Sequence, residues 1–190
     1  MWQAATFDTY TINRELGWAK ALGFNTMRVY LHHLLWKDDI AGFRCRLNTY
    51  LYISHKHEIK TIIVFFVDCW SDTVCTGPQP APKPGVYNSG WVQDSGTLMQ
   101  KVQDTLHTLK AYVQDVMSSL KHDDRLLMWD LYNEPGNNTQ GTNSLPLVKK
   151  VFEWAREVNP IQPITVGLRN HDADYAEYNR FQLEHSDVIT

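Results

Sequence analysis

Residues 129–135 read Trp-Asp-Leu-Tyr-Asn-Glu-Pro, and the adjacent Asn133 and Glu134 are the side chains best suited to acid–base work. A carboxyl group gives and takes a proton, and the amide beside it can hold a hydroxyl of the molecule being protonated. Pro135 has no N–H to give to a sheet, so a strand through 126–132 must stop there, with Asn133 and Glu134 on its rim. On an apolar rim, desolvation is expected to raise the pKa of Glu134, as suits a general acid. A turn using Asn-Glu-Pro only as punctuation is the bland alternative. Three more clusters follow apolar runs in the same manner: His32 with His33, Asp68 with Trp70, and Arg169 with Asn170 and His171. Asp68 either serves as a second carboxylate or hydrogen-bonds to position Trp70 or a ligand hydroxyl. His32 is either a ligand contact or a buried hydrogen-bonding group. His55 and His57 lie two apart near a helix end and point apart, and neither HExxH nor CxxC occurs, so no metal or cofactor is expected.

These clusters need elements to carry them. Ile12, Leu16, Ala19 and Leu22 make a helical stripe ending at Gly23, and 26–31 (TMRVYL) is a strand. Ile40, Phe43, Leu47, Tyr50, Leu51 and Ser54 form a second helical face. The run 61–67 (TIIVFFV) is β-branched and aromatic, a strand buried on both sides. Leu98, Val102, Leu106, Leu109, Val113 and Val116 predict a helix, and 126–132 a third strand. Another helix runs from Leu145 to Val158, with Ser144 as its expected cap and Pro146 in its first turn. A strand over 164–168, a helix over 173–184 and the start of a fifth strand at 188–190 complete the order. Alternating strands and helices imply a parallel sheet, hence an α/β fold. No GxGxxG or GxxxxGK[ST] follows the first strand, which argues against a doubly wound nucleotide fold. Chemistry at the ends of several strands instead fits a (β/α)8 barrel.

The chain has 190 residues, with 18 Lys+Arg against 21 Asp+Glu and 43% apolar residues. That is an ordinary globular profile, and its charge balance offers no dominant grip on nucleic acid. The longest apolar run, 62–67, is far below the ~20 residues of a membrane helix. No signal-peptide pattern opens the sequence. Cys45, Cys69 and Cys75 are too few for a disulfide scaffold, although Cys69 and Cys75 could pair across a loop. The sequon Asn137-Asn138-Thr139 says little about secretion. The stretch 68–96 carries Pro78, Pro80, Pro82, Pro84, four glycines, Trp70, Tyr87 and Trp91. A loop of this length is usually functional, and its aromatics present flat apolar faces that match a pyranose ring or pack the loop down.

With these residues in view, the sequence resembles glycoside hydrolase clan A, closest to family 5 enzymes of the cellulase, mannanase and xylanase type. The resemblance rests on WDLYNEP, MWQAATFD, RELGWAKALGFNTMRVYLHHLLW and KPGVYNSGWVQ, which span nearly the whole chain. It implies a single, incomplete (β/α)8 TIM-barrel catalytic domain over 1–190, holding about strands two to six. It implies that Glu134 is the acid/base of a retaining two-carboxylate mechanism and that Asn133 contacts a sugar 2-hydroxyl. Arg28 matches the arginine that supports the catalytic carboxylate. His32, Asp68, Trp70 and Trp91 are the other expected substrate-binding residues. The family pattern has His-Asp where this chain has His32-His33. The nucleophile, a second Glu after the seventh strand, is expected to be missing, and the partner is a polysaccharide or oligosaccharide in a secreted or periplasmic setting. An unclosed sheet leaves two strand edges open, so the chain alone is expected to be inactive and prone to associate. A non-catalytic carbohydrate-binding or degenerate half-barrel remains the alternative.

Overall fold

A computed structural model describes residues 1–95, 103–137, 141–169 and 172–190. Helix α1 (Thr9–Ala21) starts where the Asp8 carboxylate accepts from the Tyr10 N–H at 3.0 Å. It buries Ile12, Leu16 and Ala19, while Leu22 falls on the C-cap and is exposed. Strand β1 (Thr26–Tyr30) follows, and then a short helix α2 (His33–Asp38) that the sequence pattern did not signal. Helix α3 (Ile40–Lys56) buries Phe43, Leu47, Tyr50 and Leu51 beneath β2 (Lys60–Val67). Gly42 leaves room at its start for the Asp39 carboxylate that caps the helix; a Cβ there would push that side chain aside.

Strand β2 is buried on both faces from residue 63 onward, as its apolar run predicts. Helix α4 (Gln103–Leu120) leads to β3 (Leu126–Asn133). The expected helix positions Leu98 and Val102 lie outside the described residues. Helix α5 (Leu145–Val158) has its proline in the first turn and ends at Asn159, which is left-handed at φ 52°. Ser144 precedes this helix but does not cap it, because its hydroxyl is drawn to Asp68. Strand β4 (Ile164–Thr165) and helix α6 (Ala176–His185) follow.

The sheet is parallel, in the order β1-β2-β3-β4, with Arg28 opposite Ile62, Val64 opposite Asp130 and Val67 opposite Asn133. Phe65 stacks on Trp129 at 5.6 Å and meets Tyr112 of α4 edge-on at 5.3 Å, so sheet and helix share one aromatic core. Burying each such ring contributes ~1.5–3 kcal/mol. Four strands are present among the described residues, where five were expected. Residues 187–190 run beside β4, with Leu168 N–H donating to the Thr190 carbonyl at 2.9 Å, but a two-residue β4 offers too few groups for a ladder.

Candidate active site

At the end of β3 the chain turns sharply. Glu134 is left-handed at φ 44° and Gly136 at φ 86°, the former at a cost of roughly 1–2 kcal/mol. Asp68, just beyond β2, holds this turn in place. Its Oδ1 accepts from the Tyr132 hydroxyl at 2.7 Å, and its Oδ2 accepts from Gly136 N–H at 2.7 Å and from the Ser144 hydroxyl. The approach is so close that a Cβ on Gly136 would lie 2.5 Å from the Gly141 carbonyl. Asp68 is 1% exposed, and burial pushes its pKa up against the pull of these donors. The expectation that Asp68 meets substrate is therefore corrected: its carboxylate faces into the loop, because three donors from the β3–α5 segment surround it.

Glu134, in contrast, is exposed. The apolar enclosure expected around it is not formed by the described residues. Its Oε2 accepts from Asn137 Nδ2 at 2.7 Å and from the Cys69 thiol at 3.4 Å. Asn133 is buried and held at both ends, its Oδ1 by the Tyr30 hydroxyl at 3.2 Å and its Nδ2 on Cys69 Sγ at 3.4 Å. Cys69 forms no disulfide with Cys75; all three cysteines are free.

Arg28 reaches across the sheet. Its Nε donates to Asp130 Oδ2 at 3.0 Å, a second guanidinium nitrogen pairs with the same oxygen, and a third donates to the Tyr30 hydroxyl at 2.7 Å. Burial pushes the Asp130 carboxyl up to about 6, although Arg28 favours its charged form. Asp130 Oδ1 is buried without a partner. Asp130 and Tyr30 were not singled out from the sequence. The signal available was a charge at an inward position of β3 and a tyrosine two residues after Arg28.

His32 caps α2, its Nδ1 accepting from Leu34 N–H at 3.3 Å and its Nε2 lying 3.0 Å from the Gln93 carbonyl. His33 is buried and pairs through Nδ1 with Asp94, whose other oxygen accepts the His33 N–H at 2.8 Å. Burial opposes the charged form of His33, yet Asp94 raises its pKa overall. Asp94 is itself held below its ordinary value by both histidines, despite burial. His32, His33 and Asp94 are near enough to share an ion, but all their ligand atoms except His33 Nε2 and the more distant carboxylate lone pairs are engaged with protein groups. The trio acts as a clasp on the long loop.

That loop leaves and returns beside β2. Asp94 N–H donates to the Val67 carbonyl at 3.1 Å and Gln93 N–H to the Ser71 carbonyl at 2.8 Å. Within it Trp70, at φ 73°, meets Trp91 edge-on at 4.7 Å, and both meet Tyr30 edge-on at 5.7 and 5.4 Å. A cavity of about 410 Å³ opens against this trio at the outer edge of β1, and Arg28, His32, Trp70 and Trp91 all line it. Four of the five expected substrate-binding residues thus meet in one cavity. Neither Asn133 nor Glu134 lines it; Tyr30 links the two regions. Arg169 donates to the Gly136 carbonyl at 2.6 Å, while Asn170 and His171 lie outside the described residues.

No family model matches the sequence, and no curated protein does. Solved structures do match. The GH5_18 protein of Streptomyces cattleya, in complex with Manβ1-4GlcNAc, superposes with TM-score 0.60 at 11% identity, over 85% of this chain and 40% of its own. The endo-β-1,4-mannanase of Thermotoga petrophila gives TM-score 0.58 at 14% identity, over 87% and 42%. The endo-1,4-β-mannanase of Rhizomucor miehei gives TM-score 0.57 at 15% identity, over 88% and 56%. The chain thus spans about half or less of the length of these glycoside hydrolases. Its fold is an α/β arrangement in which four parallel strands correspond to part of the TIM barrel of such enzymes.

Proposed function

We propose that residues 1–190 form part of the catalytic barrel of a family 5-like, clan A glycoside hydrolase. The reaction would be retaining hydrolysis of a β-linked oligosaccharide or polysaccharide. The observation that carries this reading is the rim of β3, where exposed Glu134 stands beside an Asn133 fixed at both ends. Oε2 is engaged by Asn137 and Cys69, and this reading assigns protonation of the leaving glycosidic oxygen to Oε1. On this reading the second hydrogen of Asn133 Nδ2, the one not given to Cys69, serves a sugar 2-hydroxyl. Trp70, Trp91 and Tyr30 offer ring faces and edges to a pyranose. The retaining mechanism needs a second carboxylate ~5–5.5 Å from the first. Asp68 is occupied by three donors, so on this reading it is not that second carboxylate.

A binding-only role is the second reading, favoured by the cavity that gathers the aromatic residues without Glu134. One experiment separates the two. Mannan, glucan and xylan oligosaccharides are assayed for cleavage by the chain and by a longer product supplying a strand that ends in Glu. Glycosidase function predicts cleavage by the longer product, lowered ~10²–10⁴-fold by Glu134→Gln on unactivated substrates and less on aryl glycosides. Binding without cleavage in either would establish the second reading. Ordinary turnover by the 190-residue chain would show that it holds both carboxylates.

A further inference from the structure

The thiol of Cys69 lies where the catalytic strand and its following turn converge. Asn133 Nδ2 donates to Sγ at 3.4 Å, Asn137 Nδ2 donates to it at 3.1 Å, and the S–H donates to Glu134 Oε2 at 3.4 Å. Asn137 also donates to that same oxygen at 2.7 Å, closing a triangle of thiol, amide and carboxylate. We propose that Cys69 is a positioning residue that sets the orientation of Glu134 and Asn133 together; the kinetic part rests on the acid/base reading above.

The backbone alone does not fix Glu134. It sits in a left-handed turn after the last ladder position of β3, with its side chain exposed, so its rotamer is set by whatever touches Oε2. Cys69 is 6% exposed and lies in the bend two residues past the end of β2, so it is carried by a segment separate from the turn that follows β3. Sulfur suits the place because it accepts two amides at long distance and still donates one proton. Burial and the Glu134 charge push the thiol up to about 12, which keeps that proton in place at neutral pH. No step of bond making passes through Cys69; it acts through its neighbours.

The test compares Cys69→Ala and Cys69→Ser in the 190-residue chain. The side-chain amide signals of Asn133 and Asn137 and the carboxyl carbon signal of Glu134 are read by NMR. All three are expected to move in Cys69→Ala and to return toward wild type in Cys69→Ser, whose hydroxyl donates and accepts in the same place. Unmoved signals in Cys69→Ala overturn the proposal whether or not any sugar is cleaved. Should the alanine variant fail to fold, Cys69→Ser with only the Glu134 signal displaced also counts against it. In a form that turns over, Cys69→Ala is expected to lower kcat about tenfold on unactivated glycosides, the loss of roughly one hydrogen bond. KM should be unchanged, the loss smaller on aryl glycosides, and Cys69→Ser restorative. A loss in KM alone, equal on both substrates, would mean a packing role. Absence of turnover in the longer wild-type product would count against the glycosidase reading, while the NMR result still decides the role of Cys69.

Discussion

The Tyr30 hydroxyl donates to Asn133 Oδ1 at 3.2 Å, spanning from β1 past β2 to the rim of β3. The Tyr30 hydroxyl oxygen in turn accepts a hydrogen bond from the Arg28 guanidinium at 2.7 Å, and the Tyr30 ring meets both Trp70 and Trp91. One side chain therefore joins the aromatic cavity to the acid–amide pair. Tyr30→Phe keeps the ring and removes both hydrogen bonds. It should leave oligosaccharide affinity within about twofold and lower Asn133-dependent turnover roughly tenfold, about one hydrogen bond. Calorimetric titration beside single-turnover assays measures the two separately, and an affinity loss matching the turnover loss would contradict the division of roles.

Trp91 is 45% exposed and lines the cavity with its ring against Trp70. Trp91→Ala is expected to weaken oligosaccharide binding about tenfold, in keeping with an aromatic contact worth ~0.5–1.5 kcal/mol. Because the ring is half in solvent, the melting temperature should fall by only a few degrees. Titration calorimetry and thermal melts on the same preparation check both.

Asp130 carries a pH signature. Its carboxyl is pushed from 3.8 up to about 6, chiefly by burial, so the folded state binds the extra proton. The stability linked to that proton is present below pH 3.8 and is lost as pH rises through about 6, amounting to ~3 kcal/mol. Asp130→Asn does not titrate. The melting temperature of Asp130→Asn minus that of wild type should therefore rise between pH 4 and pH 7. A difference that stays constant with pH would show that Arg28 fully compensates the buried charge.

The clasp between His33 and Asp94 titrates at both ends. His33 is raised above 6.5, so its contribution is complete below that pH and lost as pH rises through the folded value. Asp94 is lowered below 3.8, so its contribution is complete above that pH and lost as pH falls through the folded value. The long loop should accordingly be held best between about pH 3.8 and 6.5. Limited proteolysis within 71–92 should be slowest in that window and should lose its pH dependence in Asp94→Asn.

The sequence by itself determined the α/β class, the parallel order and the positions where chemistry gathers. A helix or strand writes its period into a short window, and Pro135 stops a strand wherever that strand is placed. WDLYNEP was therefore legible as a strand with a reactive rim, and TIIVFFV as a strand buried on both faces. Tertiary structure alone decided what each polar group does. Glu134 and Asp68 are both acids at strand ends, yet one is exposed and the other is enclosed by Tyr132, Gly136 and Ser144. Arg28 and Asp130 are 102 residues apart, and only the register of three strands brings them together. His33 meets Asp94, and Cys69 meets Asn133 and Asn137, through the return of loops whose paths no local period encodes. Hydrophobic patterning is a property of neighbours in the chain, whereas a hydrogen bond between distant side chains depends on ångström distances that exist only once the sheet has formed.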